Sequence, residues 1–241
     1  MLRVLHHDDY VLAVDKPAGL LTVPGRGDPG PALSIEVREL APGALPVHRL
    51  DRDTSGVVLF ALTREAHRAL NAAFEGRRAE KTYAALVRGD LARGRRIGLP
   101  LVEARRGAMR VARAGEKGAQ PALTEVKPRE RFGTYTLCTC LPRTGRTHQI
   151  RVHLAAVGHP LPIDPRYGDD RPLRIGELWS GAPDPDTVVL SRTPLHALSL
   201  RVPHPSGKGW LSVESPLADD IARCLDLLRA ARRAADVGPG T

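Results

Sequence analysis

Strand-like and helix-like stretches follow one another along this chain without a regular strand–helix–strand alternation. That order points to an α+β domain built around a largely antiparallel sheet. LRVLH and YVLAV predict two short strands around an HDD turn, and DKPAGLL predicts a turn fixed by Pro17 and Gly19. ALSIEVREL has helical spacing. VVLFAL reads as a buried strand, followed by a helix from Arg64 to about Arg77 behind Thr63 as N-cap. KTYAALVRG, PALTEVKPRERF and TYTLCTCL alternate as strands. Residues 103–119, rich in Arg, Gly and Ala, predict a hairpin or a mobile loop. A helix follows TGRTH, with Gly158 as its stop. The polar, Pro-rich stretch 164–194 reads as irregular. LHALSLRV and GWLSVES predict closing strands, and LADDIARCLDLLRAARRAA a terminal amphipathic helix. With no internal repeat, the 241 residues fit a single domain, 1–241.

Charge narrows the function. Lys and Arg number 36 against 27 acidic residues, a formal net charge of +9. Arg dominates the excess, and its planar fork binds phosphate and stacks on bases, so a polyanionic partner fits. A GC-rich genome, which inflates Arg, Ala and Gly together, gives the same composition. Three cysteines are too few and odd in number for a disulfide framework, so a reducing cytoplasm is expected. Cys138 and Cys140 alternate in an apolar strand with no partner pair, so no metal site is expected. No apolar run reaches a membrane span, and MLRVLHHDDY lacks a signal-peptide pattern.

Three segments carry chemistry. In HRLDRDTSG, an extended chain puts Arg49 and Asp51 on one face and His48 and Leu50 on the other. A nearby Arg keeps an Asp ionised at neutral pH, and the turn Asp53-Thr54-Ser55-Gly56 would project Asp51 from the end of VVLFAL. By itself the segment reads more simply as a turn with local ion pairs.

In TGRTHQIRVHLAAVGHP, Thr144 and Gly145 are positioned to cap the helix, leaving free amides and Arg146 aimed at one point, a ready phosphate site. Thr147, Arg151 and Leu154 share one helical stripe, so Arg151 points inward. A buried Arg needs a carboxylate, and Asp51 is a candidate. His148 and His153 are splayed around the helix, which argues against a metal pair. In KTYAALVRG, Lys81, Tyr83 and Ala85 face one way. Tyr83 is either core filler or, beside a nucleotide, a stacking surface.

Taken together and in order, DKPAGLL, HRLDRDTSG, KTYAALVRG, TGRTHQIRVHLAAVGHP and LHALSLRVPHPSG closely resemble the RluA-type pseudouridine synthases over roughly residues 2–215. The resemblance implies the pseudouridine synthase catalytic fold, a mixed, mostly antiparallel sheet flanked by helices. It implies Asp51 as the catalytic aspartate, Tyr83 as the active-site tyrosine and Arg151 as the aspartate's basic partner. Arg49, Arg146 and His148 are then expected to hold substrate. The expected reaction converts uridine in structured ribosomal or transfer RNA to pseudouridine, with no cofactor, no metal, no obligate protein partner, and a monomeric enzyme. Two departures are visible. The sequence starts almost at the first catalytic-domain strand, so no separate N-terminal RNA-binding module is expected. And GHPLPIDPRYG has Pro162 and Ile163 where relatives commonly show a Gly before the Asp. Two other readings compete: an inert RNA-binding protein on the same fold, and an aspartic protease through the Asp53-Thr-Ser-Gly turn. The protease would need a second such motif or a homodimer.

Overall fold

The computed structural model describes residues 2–25, 30–179 and 181–237. The chain opens with strands β1 (Arg3–His7) and β2 (Val11–Lys16), helix α1 (Leu33–Leu40), and strands β3 (Leu45–Pro46) and β4 (Ser55–Ala61). Helix α2 (Arg64–Glu75) and strand β5 (Glu80–Arg88) follow. Then come β6 (Arg95–Ile97), β7 (Leu101–Glu103), β8 (Met109–Val111), β9 (Thr124–Arg131), β10 (Tyr135–Pro142) and helix α3 (Gln149–Ala156). The stretch expected to be irregular instead holds β11 (Leu173–Arg174), α4 (Ile175–Leu178) and β12 (Val188–Leu190). These elements are two to four residues long, too short for periodicity to register. Strands β13 (Leu195–Pro203) and β14 (Trp210–Glu214) and helix α5 (Asp219–Val237) complete the chain.

The chain forms two compact units, each assembled from discontinuous stretches: residues 1–83, 141–144 and 195–216, and residues 84–140, 145–194 and 217–241. In the first unit β4 is central. It pairs antiparallel with β2 (Val11↔Ala61 to Lys16↔Gly56) and parallel with β13 at Ser55↔His196 and Gly56↔Ala197. Strand β1 extends the sheet beside β2, and β14 pairs with β13. All seven residues of β4 are buried, and helices explain why. Ala66 and Leu70 of α2 pack with Val57 and Leu59, while Leu33 and Val37 of α1 pack with Val58 and Phe60. A strand covered on both faces has no polar side, hence the unbroken VVLFAL run. Each large apolar side chain buried this way contributes roughly 1.5–3 kcal/mol. Thr63 caps α2 as expected, its Oγ1 accepting from the Ala66 amide at 3.0 Å.

In the second unit β6 pairs antiparallel with β9, and β7 with β8 in a hairpin over 101–111, where a hairpin or a mobile loop over 103–119 was expected. Ile221, Cys224, Leu225 and Leu228 of α5 pack against Leu173, Leu178 and Leu190, closing a core that includes Tyr135. Cys138 and Cys140 are buried on β10. Among the described residues, no helix is long and apolar enough to cross a membrane.

Candidate active site

In the first unit the loop carrying Asp51 is pinned at three successive points. Thr22 Oγ1 donates to the Leu50 carbonyl and accepts from the Leu50 amide, both at 3.0 Å. The Arg52 carbonyl accepts from the Gly19 amide at 3.0 Å and from Lys16 Nζ at 2.8 Å. The Thr54 amide donates to the Asp51 carbonyl at 3.2 Å. Lys16 is fully buried, and its ammonium also donates to the carbonyls of Pro17 and Leu20 at 2.8 and 2.6 Å. A buried ammonium is tolerated only with its donors satisfied, so three carbonyls fix both the DKPAG turn and the residue after Asp51. The DKPAG turn is legible in the sequence, and the buried role of this lysine is not. A Lys between an apolar strand and a Pro was the available signal.

Behind the loop, Gly56 makes the close approach of β4 and β13 possible. Its φ is +111°, and a Cβ there would sit 2.2 Å from the Ala197 carbonyl oxygen. No other residue fits. His48, Leu50 and Arg49 alternate as expected: Arg49 is exposed and Leu50 is buried. His48 stacks on Phe74 at 5.1 Å between ring centroids, and its Nε2 accepts from the Leu59 amide at 3.1 Å. Burial, with Lys81 adding repulsion, lowers its pKa to about 3. It is a neutral structural histidine. Burial likewise lowers the pKa of Lys81, whose Nζ donates to the Thr144 carbonyl at 3.4 Å.

Tyr83 packs at the edge of the cluster that contains Leu50, Phe60 and Ala197. Burial first, and then the negative charge of Asp51, push its pKa above the ordinary phenol value. Asp51 and Tyr83 therefore sense each other, and the phenol stays protonated at neutral pH.

In the second unit the structure corrects how the TGRTH helix is built. Neither Thr144 nor Gly145 caps it. The cap is His148, in the left-handed region at φ 53°, and α3 begins at Gln149. Thr147 thus lies outside the helix, and every residue from Gln149 to Leu154 is buried, so no stripe distinguishes Arg151. The Arg146 amide is used within the turn, donating to Gln149 Oε1 at 3.1 Å, and Arg146 Nε reaches the Pro121 carbonyl at 3.3 Å.

Arg151 is indeed buried, and the carboxylate it needs comes from Asp164. Nε donates to Oδ2 at 2.8 Å and Nη2 to Oδ1 at 2.7 Å, with Asp164 wholly inaccessible. Asp164 Oδ1 also accepts from the Arg166 and Tyr167 amides at 3.1 and 3.3 Å. The Arg151 guanidinium lies 5.2 Å from the centre of the Tyr167 ring. The Tyr167 hydroxyl accepts from the Met109 amide and shares a hydrogen bond with His148 Nδ1, both at 2.8 Å. Helix α3, the Asp164 turn and the β7–β8 hairpin are thereby tied together. Ile163, just before Asp164, has φ 57°. This chain fills that left-handed position with a β-branched residue.

Residues 10–156 match the RNA pseudouridylate synthase family. The chain belongs to that family. Ribosomal large subunit pseudouridine synthase C from Escherichia coli (strain K12) is 39% identical over 241 residues, covering 95% of this chain and 70% of that protein. Ribosomal large subunit pseudouridine synthase D from Nitrosomonas europaea is 38% identical over 238 residues, covering 95% of this chain and 65% of its own length. Among solved structures, human RNA pseudouridylate synthase domain containing 1 superposes with a TM-score of 0.70 at 27% identity, covering 95% of both chains. Human RNA pseudouridylate synthase domain containing 4 shares the fold, with a TM-score of 0.75 at 23% identity over 94% of this chain and 93% of that one. The family assignment leaves the aspartic-protease and inert-protein readings without support.

Proposed function

We propose that this protein isomerises specific uridines to pseudouridine in the RNA of the large ribosomal subunit, acting as a monomer in the cytoplasm and as one catalytic domain. The observation that carries this reading is the pinned Asp51 loop, with Tyr83 packed against the cluster of the adjoining Leu50, in a chain of the pseudouridylate synthase family. In the reaction the bond between ribose C1′ and uracil N1 breaks, the base turns, and C1′ bonds to C5. C5 loses its proton and N1 gains one. Atoms and oxidation level are unchanged, so side chains alone suffice and no cofactor or metal is called for.

The target base must leave its stack to be reached. Asp51, on a loop that cannot drift, either attacks C1′ or removes a sugar proton. Tyr83, a buried and neutral phenol, lies beneath the displaced uracil as a stacking surface. Arg151, engaged by Asp164, holds helix α3 in register within the second unit. Arg49, exposed beside Asp51, holds the flipped nucleotide, while Arg146 and His148 contact the backbone, positioning more than specifying.

The test is pseudouridine mapping of total RNA from a strain lacking the gene against its parent, repeated with purified protein on unmodified ribosomal RNA. Loss of one or a few large-subunit positions, restored by the wild-type gene, is expected. An unchanged map, or positions lost only from transfer RNA, would overturn the ribosomal assignment.

A further inference from the structure

The sheet face that carries Tyr83 runs on into an open surface that holds a tryptophan. On β13, Ala197 packs into the cluster with Tyr83 and Leu50, whereas Leu200 and Val202 join the cluster on the opposite face. Strand alternation therefore puts Arg201 on Ala197's side. On β14, Leu211 and Val213 accompany Leu200 and Val202, so Trp210 and Ser212 stand with Arg201. The register pairs Arg201 with Ser212 and Pro203 with Trp210, which makes Arg201 and Trp210 diagonal neighbours. They touch: the Arg201 guanidinium lies 4.3 Å from the centre of the Trp210 ring. Glu80 Oε2 lies 3.3 Å from Nη1 of that guanidinium. Trp210 is still 47% exposed.

We infer that Arg201 and Trp210 form a stacking platform for an unpaired base of the RNA that flanks the isomerised uridine. This rests on the synthase reading above and extends it to substrate recognition. A single exposed apolar residue needs no explanation on its own, but this one is unusual in three ways. The chain has two tryptophans in 241 residues, and this one is placed in solvent. The Arg201 guanidinium lies over its ring, and arginine and aromatic planes together stack bases in single-strand binders. And the face is continuous with the one bearing Tyr83. Arg201 lies four residues beyond Ala197, about 13 Å at ~3.3 Å per strand residue, a distance a few nucleotides span.

The turn between the two strands adds a phosphate contact. Gly207 and Gly209 take φ +78° and +72°, which tightens the reversal and leaves Lys208 exposed at its tip. Arg77 and Arg78, just before Glu80, are also exposed, against the exposed Glu214 on the Trp210 face. Tryptophan and arginine also anchor protein interfaces. The net charge of +9 and the face shared with Tyr83 favour RNA.

The experiment measures filter binding of a ribosomal RNA fragment that carries the target uridine and its flanks, alongside single-turnover pseudouridine formation at saturating enzyme. Trp210→Ala should weaken binding by roughly tenfold and leave the saturated rate unchanged. Trp210→Phe should recover most of the affinity, and Arg201→Ala should lose part of it. Melting temperatures of the variants confirm that each is folded. Wild-type affinity in Trp210→Ala, on an RNA that the wild-type protein converts, overturns the platform and leaves the synthase reading intact. Failure of the wild-type protein to convert any ribosomal RNA removes both. A Trp210→Ala protein with altered self-association and unaltered RNA affinity means that the face meets protein, which also overturns the inference.

Discussion

Arg151 and Asp164 meet as a buried pair through two parallel hydrogen bonds, Nε to Oδ2 at 2.8 Å and Nη2 to Oδ1 at 2.7 Å. Fork-to-carboxylate geometry fixes orientation as well as charge. Here it sets the direction of a side chain on the helix that follows TGRTH. Removing either partner leaves the other's charge buried and uncompensated. Arg151→Met alone, and Asp164→Asn alone, should each destabilise by about 3–5 kcal/mol. The double variant should fall well short of their sum, because the second change removes the charge that the first left stranded. Thermal or urea unfolding of the four proteins checks this, and strict additivity would show that the pair is not coupled.

Ile163 makes a prediction whose sign is unusual. Its side chain is 5% exposed and its backbone is left-handed at φ 57°, a conformation that disfavours side chains by roughly 1–2 kcal/mol. Ile163→Ala loses the packing and keeps the strain. Ile163→Gly loses slightly more packing and releases the strain. Glycine should therefore be at least as stable as alanine here, the reverse of the usual order in ordered backbone. Chemical denaturation of both variants decides it.

These two positions also show where the sequence was legible. Periodicity found every long element, because β4, α2, β13 and α5 each bury a face or two against neighbours and their apolar patterns record it. The inward Arg151 was anticipated, but by a stripe that does not exist: α3 is buried all round, so its pattern carries no direction. Asp164 lies 13 residues further on, in a turn where neither helical nor strand spacing operates. His148 and Ile163 occupy left-handed positions that sequence rules reserve for glycine or asparagine, so both were invisible to those rules. Lys16 is marked in the sequence only by its place between an apolar strand and Pro17, because its partners are backbone carbonyls, which no side-chain motif reveals.

Asp51→Asn preserves shape and removes charge. Turnover should fall by several powers of ten while RNA affinity survives, because arginines elsewhere supply it. Tyr83 gives a second readout from the same variant. With Asp51's charge gone, the Tyr83 phenol should titrate at a lower pH than in the wild-type protein, followed by its ultraviolet absorbance. More than about a tenth of the wild-type rate in Asp51→Asn would sink the catalytic assignment.

His48 should contribute to the acid limb of the pH profile of stability. Its pKa is depressed from 6.5 to about 3 in the folded state, so below pH 6.5 the unfolded chain binds a proton that the folded chain refuses. Stability from this group is full above 6.5 and is lost as pH falls towards 3, with the slope of one proton, about 1.4 kcal/mol per pH unit. His48→Gln offers the Leu59 amide an acceptor that does not titrate. Its stability should fall less steeply than that of wild type between pH 6.5 and 4, as read from melting temperatures across that range. Parallel curves would mean that His48 is not neutral in the fold.

Electrostatic grip on RNA is expected to come partly from the β7–β8 hairpin and the turn after it, but not from all of its arginines. Arg110 is engaged by Glu116 through both guanidinium nitrogens, and Glu116 also accepts from the Arg113 amide at 2.9 Å. That internal pairing cancels Arg110 as a phosphate ligand. Arg105 and Arg113 are exposed, so they are the residues expected to displace counterions. Each phosphate contact on single-stranded RNA lowers the slope of log affinity against log salt by about 0.7. Arg105→Gln with Arg113→Gln should flatten the slope by about 1.4 and weaken binding to all RNAs alike, leaving the saturated rate nearly unchanged. Arg110→Gln should leave the slope where it was and instead loosen the turn that Glu116 holds. Filter binding across a salt series, with single-turnover rates at saturating enzyme, separates the two. A large fall in the saturated rate at constant slope would mean that the hairpin acts through the Tyr167 tie to His148, shaping the site more than holding the backbone.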